Sequence, residues 1–420
     1  MQGRGLYSKI VLGLLVAATG VGAGDVITAS LAGSRTGLIL LWAAFAGALL
    51  KWVLNEGLAR WQMATGQTLL EGWVAHLGQW IQWAFLLYLL LWSYAVGGAL
   101  ISACGLAGAG MVPLGDPHTS KIIWGIVHSL LGFALVWSGK FKVFEYVMSA
   151  CCGLMVVAVL LNVIIVAPDW RIVSRGLFIP SIPAGGEAWL LGVLGGVGGT
   201  VTIMSYGYWI REKRRSGREG IKESRLDLAV AYGLTAFFGA AMIIIGSKVK
   251  ITGTGATVAL VLAAQLAKAF GPAGKWLFLL GFWGAVFTSL LGVWQGVPYL
   301  FADFLNLRRG RSLGREQEVN IKKSAEYRAF LAALTILPLS LLWFKVQQVQ
   351  LVYAVLGALF MPLLALTLLL LNNRRALVGP GFKNSFLVNL LLVATLAFFS
   401  YLGLRELINL LQGHSPILSG

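Results

Sequence analysis

Long apolar runs dominate this chain, separated by short polar or basic connectors. Eleven runs approach the roughly 17–25 residues that a helix needs to cross a bilayer. They fall at about 10–33, 38–59, 80–106, 122–138, 143–166, 189–210, 226–246, 275–300, 329–344, 349–371 and 384–404. Residues 256–270 predict an extra amphipathic helix in an outer connection, and only a tight hairpin fits between runs nine and ten. The pattern predicts an all-α integral membrane protein with one transmembrane domain over residues 1–420.

Two runs are interrupted at mid-depth: Thr19-Gly-Val-Gly-Ala-Gly-Asp25 in the first, and Gly195-Gly-Val-Gly-Gly-Thr-Val-Thr-Ile-Met-Ser205 in the sixth. Glycine at this density weakens a helix, and lipid offers freed backbone groups no partner. Broken backbone is tolerated at that depth where protein buries it or where it lines a cavity. A pair of such breaks in corresponding halves points to a transporter's binding site. Breaks in the first and sixth spans imply five helices plus five, about 10–166 and 189–371, with an extra helix at about 384–404. An odd number of spans per half inverts one half relative to the other.

Composition narrows the class. The chain is 58% hydrophobic and 12% charged, about half the charge of an ordinary soluble domain. Sixteen Trp and 53 Gly suit a helical bundle with interfacial aromatics and close helix contacts. Cys104, Cys151 and Cys152 lie in apolar runs without ligand spacing and read as packing residues. The net charge of +17 concentrates in two connectors, 211–225 and 308–328, each with seven basic and three acidic residues. That is the positive-inside pattern, with anionic lipid as its partner, so nucleic acid is not implied. It predicts a multi-pass protein of the cell's inner (plasma) membrane with a cytoplasmic N-terminus. The basic start, Met1 to Lys9, runs directly into the first apolar segment and reads as part of a retained helix. No enzyme motif, cofactor site or obligate protein partner is evident.

Four stretches resemble the Nramp family of divalent metal-ion transporters. Gly22-Ala-Gly-Asp25-Val-Ile-Thr28 with Ala32-Gly33 is similar to that family's Asp-Pro-Gly-Asn segment. Arg60-Trp-Gln-Met-Ala-Thr65-Gly66 through Glu71 resembles the end of its second helix. Gly198-Gly-Thr200-Val201-Thr202-Ile203-Met204 stands where the family has Gly-Ala-Thr-Val-Met-Pro-His, and Met361-Pro362 with Asn373-Arg374-Arg375 resembles the end of its tenth helix. The resemblance implies a LeuT-like inverted 5+5 repeat that works by alternating access.

The family's metal ligands do not carry over residue by residue. Its first-helix Asp and Asn positions hold Gly22 and Asp25 here, and its sixth-helix Met position holds Thr202. Losing a thioether removes a soft ligand and leaves oxygen donors. The sixth-helix His position is Trp209, and no acid lies between Glu71 and Asp116, so the family's proton relay is not reproduced.

The candidate solute-binding residues are Gly22, Gly24, Asp25, Thr28, Thr200, Thr202, Ser205, Tyr206 and Gln295, with Lys51 and Glu56 as possible pathway charges. Asp25 and Glu56 read as the two acids well inside the membrane. An intramembrane carboxylate is a functional candidate, but Asp25 also suits the start of a helix as a cap. Lys51 and Glu56 read equally as a structural charge cluster. Half-helix N-termini at both breaks favour a small polar anion such as bicarbonate. The alternative is a hard divalent cation, magnesium or manganese, held by Asp25 and Thr202. A third reading is a non-transporting membrane sensor or scaffold.

Overall fold

The computed structural model describes residues 6–184, 186–196, 198–249, 257–309 and 321–411. Val197 in the second break, residues 1–5 of the basic start, residue 256 of the outer helix and most of the second basic connector (310–320) lie outside the described residues.

The described chain is helical. The first run forms α1 (Leu6–Gly20) and α2 (Ala23–Thr36), bent by 67° at the glycines between them. Next come α3 (Leu41–Thr65), α4 (Leu69–His76), α5 (Gln79–Met111), α6 (Pro117–Trp137) and α7 (Phe141–Val166). A short α8 (Trp170–Phe178) leads to α9 (Glu187–Gly196), and a 3-10 turn at Val201–Met204 separates α9 from α10 (Ser205–Glu212). The remainder is α11 (Gly217–Ser247), α12 (Thr257–Arg308), α13 (Ala325–Ile336), α14 (Val346–Asn372), α15 (Arg375–Val378) and α16 (Phe386–Leu411). Both sequence interruptions are therefore real breaks.

Local chemistry sets these boundaries. Thr68 and Glu71 open α4 with reciprocal bonds: Glu71 N donates to Thr68 Oγ1 at 3.2 Å, and Thr68 N to Glu71 Oε2 at 2.6 Å. Asp116 caps α6 by accepting from His118 and Thr119 amides at 3.0 and 3.1 Å, with Pro117 as the first helical residue. Its bonds from Thr119 and the His118 amide hold this carboxyl below the usual range. Gly271, with φ 72°, kinks α12, so the predicted outer helix joins the eighth apolar run through a single bend. The connection before α9 carries a helix, α8, that the apolar pattern does not predict. Asp169 caps it through the Arg171 amide at 2.9 Å, and at nine residues it is too short to span.

Among the described residues, eight helices are long and apolar enough to cross a membrane, or nine if the bent α1–α2 pair counts as one. Helix α3 carries Lys51, Glu56 and Arg60 in its middle, and α9 and α10 are each short. The molecule is thus an all-α, multi-pass membrane protein. At its centre α11 packs on α1, α2 and α3, while α12 packs on α1, α5 and α7. The α2–α11 approach is close enough to need glycine: a Cβ on Gly33 would fall 2.0 Å from Ile243 O, and one on Gly246 would fall 2.1 Å from Ser30 O.

Candidate substrate site at the helix breaks

The two breaks meet. The amide of Gly199 donates to the carbonyl of Gly20 at 3.2 Å, joining the end of α1 to the gap between α9 and α10. A Cβ on Gly20 would sit 3.0 Å from Gly199 N and 3.2 Å from Gly198 Cα, so the contact is backbone on backbone. Gly198 adopts φ 71°, which side-chain-bearing residues avoid.

The carbonyls that α1 leaves open at its end are met from α12. Thr288 Oγ1 donates to Ala18 O at 2.8 Å, and Ser289 Oγ donates to Thr19 O at 2.9 Å. At the start of α2, Gly22 N donates to Asp25 Oδ2 at 2.8 Å. Asp25 is only 7% exposed, and its other oxygen, Oδ1, has no hydrogen-bond partner among the described residues. One carboxylate oxygen therefore caps the helix, and the other is left over.

Lys51, 1% exposed, reaches across from α3. Its ammonium donates to Gly195 O at 2.9 Å and lies within electrostatic reach of Asp25, as does Tyr353 of α14. Among the described residues, three buried hydroxyl oxygens in the two breaks have no hydrogen-bond partner: Thr19 Oγ1, Thr200 Oγ1 and Ser205 Oγ. Thr200 abuts Gly357 of α14, and Ser205 abuts Gly296 of α12. Thr202 is buried beside Gly199 in the turn. Gly24 faces open space, and the Thr28 methyl group lies against Gly192 of α9.

Other predicted residues point elsewhere. The Tyr206 hydroxyl donates to Asp227 Oδ2 at 3.4 Å, next to Ser224 O on α11. Gln295 cross-links helices: its Oε1 accepts from Trp209 Nε1 at 2.7 Å, and its carbonyl accepts from Tyr327 OH at 3.1 Å. Glu56 pairs with Arg60 at 3.0 Å and Arg225 at 2.8 Å, not with Lys51.

Sequence reasoning counted two deeply placed acids and missed the two that are most completely buried. Asp227 and Asp303 are both fully buried. Asp227 pairs with Arg215 and accepts from Tyr206, while Asp303 accepts from Tyr208 at 2.7 Å and Thr68 at 3.4 Å. The available signal was an acid flanked by apolar residues at the edge of an apolar run: Leu226-Asp227-Leu228 and Phe301-Ala302-Asp303-Phe304. Around them the end of α10 is fixed by charge. Arg211 pairs with Glu71, Lys213 with Glu145, Arg215 with Glu223 and Asp227, and Glu212 with Lys322.

Among the described residues, no three His, Cys, Asp or Glu side chains converge as a metal cluster. The oxygens at the junction are one carboxylate oxygen, hydroxyls and break carbonyls, a hard donor set.

Residues 13–409 match the family model described as natural resistance-associated macrophage protein-like. In fold the chain is similar to a single-residue variant of the Eremococcus coleocola manganese transporter. That match has TM-score 0.70 and 17% identity, over 98% of this chain and 89% of that one. The same transporter in complex with an aromatic bis-isothiourea substituted compound matches at TM-score 0.69 and 18% identity, over 97% and 88% of the two chains. A substrate-bound, outward-open Na+-coupled sialic acid symporter matches at TM-score 0.59 and 13% identity, over 94% and 89%. No curated protein sequence matches the chain.

The expectation of a small anion such as bicarbonate is overturned by these likenesses: the neighbours matched at TM-score 0.69–0.70 are forms of a manganese transporter. The structure supplies a physical reason. The α2 N-terminus, expected to attract an anion, is already capped by the carboxylate of Asp25.

Proposed function

Because the chain belongs to the natural resistance-associated macrophage protein (Nramp) family, we propose that it carries a hard divalent cation, manganese or magnesium, across the membrane by alternating access. One observation carries the reading: the buried Asp25 carboxylate keeps one unpartnered oxygen at the junction of two broken helices. In the proposed site that oxygen is the charged ligand. The hydroxyls of Thr200 and Thr202 and a carbonyl of either break complete the protein's share. Gly22 and Gly24 keep the approach free of side chains. A site with one carboxylate suits an ion that retains several waters, as magnesium does. The manganese transported by the fold neighbour supports a divalent cargo.

The same reading takes α3 and the α9–α10 pair as further crossings. The count is then eleven spans, in inverted repeats over about 10–166 and 189–371, with a last helix at about 384–404. The recurrence of a glycine break after five spans supports this arrangement. The basic residues of 211–225 and 308–328 support an inner-membrane protein with its N-terminus in the cytoplasm.

Proteoliposomes loaded with a metal-sensitive dye test the proposal. Wild-type protein is expected to admit manganese or magnesium. Losing a residue that merely supports a metal ligand costs about 10–100-fold in affinity, so Asp25→Asn should lower uptake at least about tenfold. Failure to admit either metal under any imposed proton or voltage gradient contradicts the reading.

A further inference from the structure

In an unbroken helix the carbonyl of Gly195 would accept from the amide of residue 199. Here Gly199 donates instead to Gly20 O. Lys51 takes the freed carbonyl at 2.9 Å, from a side chain that is 1% exposed. A neutral donor would satisfy a carbonyl equally well. An ammonium taken this far from water is costly unless a negative charge faces it, and the charge within its reach is Asp25. Lys51 thus holds a carbonyl of one break, and the Asp25 carboxylate of the other lies within its electrostatic reach without a direct ion pair. Asn55, one turn further along α3, donates to Tyr232 OH at 3.3 Å and adds no charge.

We propose that Lys51 is the resident counter-cation of the empty carrier, an inference that rests on the divalent-cation reading above. With no metal bound, its ammonium balances Asp25 and occupies the Gly195 carbonyl. A divalent ion entering the junction must displace it from both. The lysine therefore weakens metal binding and makes the metal-free site tolerable at bilayer depth, so that the empty carrier can reorient. Its removal should tighten binding and slow the empty return step. Exchange of metal for metal needs no empty return and should survive.

The experiment uses full-length protein with Lys51→Met and Lys51→Gln, the latter keeping an N–H donor for Gly195 should the methionine variant fail to fold. Manganese binding is read by calorimetry. In proteoliposomes, net uptake into metal-free vesicles is compared with exchange against manganese-loaded vesicles. The expected result is a Kd at least tenfold lower, with net uptake reduced at least tenfold more than exchange. Unchanged or weaker binding in a folded variant overturns the proposal, as does an equal loss of exchange and net uptake. A wild-type protein that binds no divalent metal overturns the divalent reading and this inference with it. Wild-type binding with unchanged variants overturns this inference alone.

Discussion

The Gly199 amide donates to Gly20 O at 3.2 Å, a backbone bond between residues 179 positions apart. It replaces a bond within the ninth helix and leaves the Gly195 carbonyl to Lys51. The two interruptions are thus one structure, in which each broken helix supplies a partner that the other lacks.

This contact leaves little room for a side chain at Gly20. Gly20→Ala places a methyl group 3.0 Å from one backbone atom and 3.2 Å from another, neither of which can rotate away. The expected cost is about 1–3 kcal/mol, the usual range for overpacking, with weaker metal binding. Gly24→Ala is the control, since nothing lies within 4 Å of its added carbon. It should be neutral, or stabilise α2 by up to about 1 kcal/mol. Thermal unfolding in detergent separates the two.

The hydroxyl of Ser289 is the donor from α12 to Thr19 O. Ser289→Ala leaves that buried carbonyl unpaired, at an expected cost of about 1–3 kcal/mol. The effect should be local. Hydrogen exchange should rise in the last turn of α1 and the first of α2, with little change in α16.

Arg215 and Asp227 are buried together, with side chains 2% and 0% exposed. Arg215→Met strands the Asp227 charge and should destabilise the protein by about 3–5 kcal/mol. The double change Arg215→Met with Asp227→Leu should recover most of that loss, because it removes both charges. Unfolding midpoints for the two singles and the double give the coupling directly. Additive losses would show that the pair does not act as a unit.

How much of this was legible beforehand depended on whether a feature was local. The breaks were readable because glycine density acts within a few residues, and Asp25 was readable because an acid inside an apolar run stands out. That the Asp25 carboxylate does fold back on Gly22 N depends on backbone geometry, so the sequence left the cap as one of two readings. The partner of Lys51 lies 144 residues away on another helix, a distance no periodicity spans. Asp227 and Asp303 were passed over because each sits at the edge of an apolar run, where an acid ordinarily faces water. Their burial comes from Arg215, Tyr206, Tyr208 and Thr68 folding over them.

Anomalous diffraction from crystals grown with manganese locates the cargo most directly. A peak is expected at the meeting point of the breaks, about 2.0–2.6 Å from Asp25 Oδ1, with Thr200 or Thr202 and a break carbonyl among its neighbours, and no such peak in Asp25→Asn. A peak at the carboxylates of Glu71 and Asp303, which share Thr68 as a partner, or one that persists without the Asp25 carboxylate, would contradict this site.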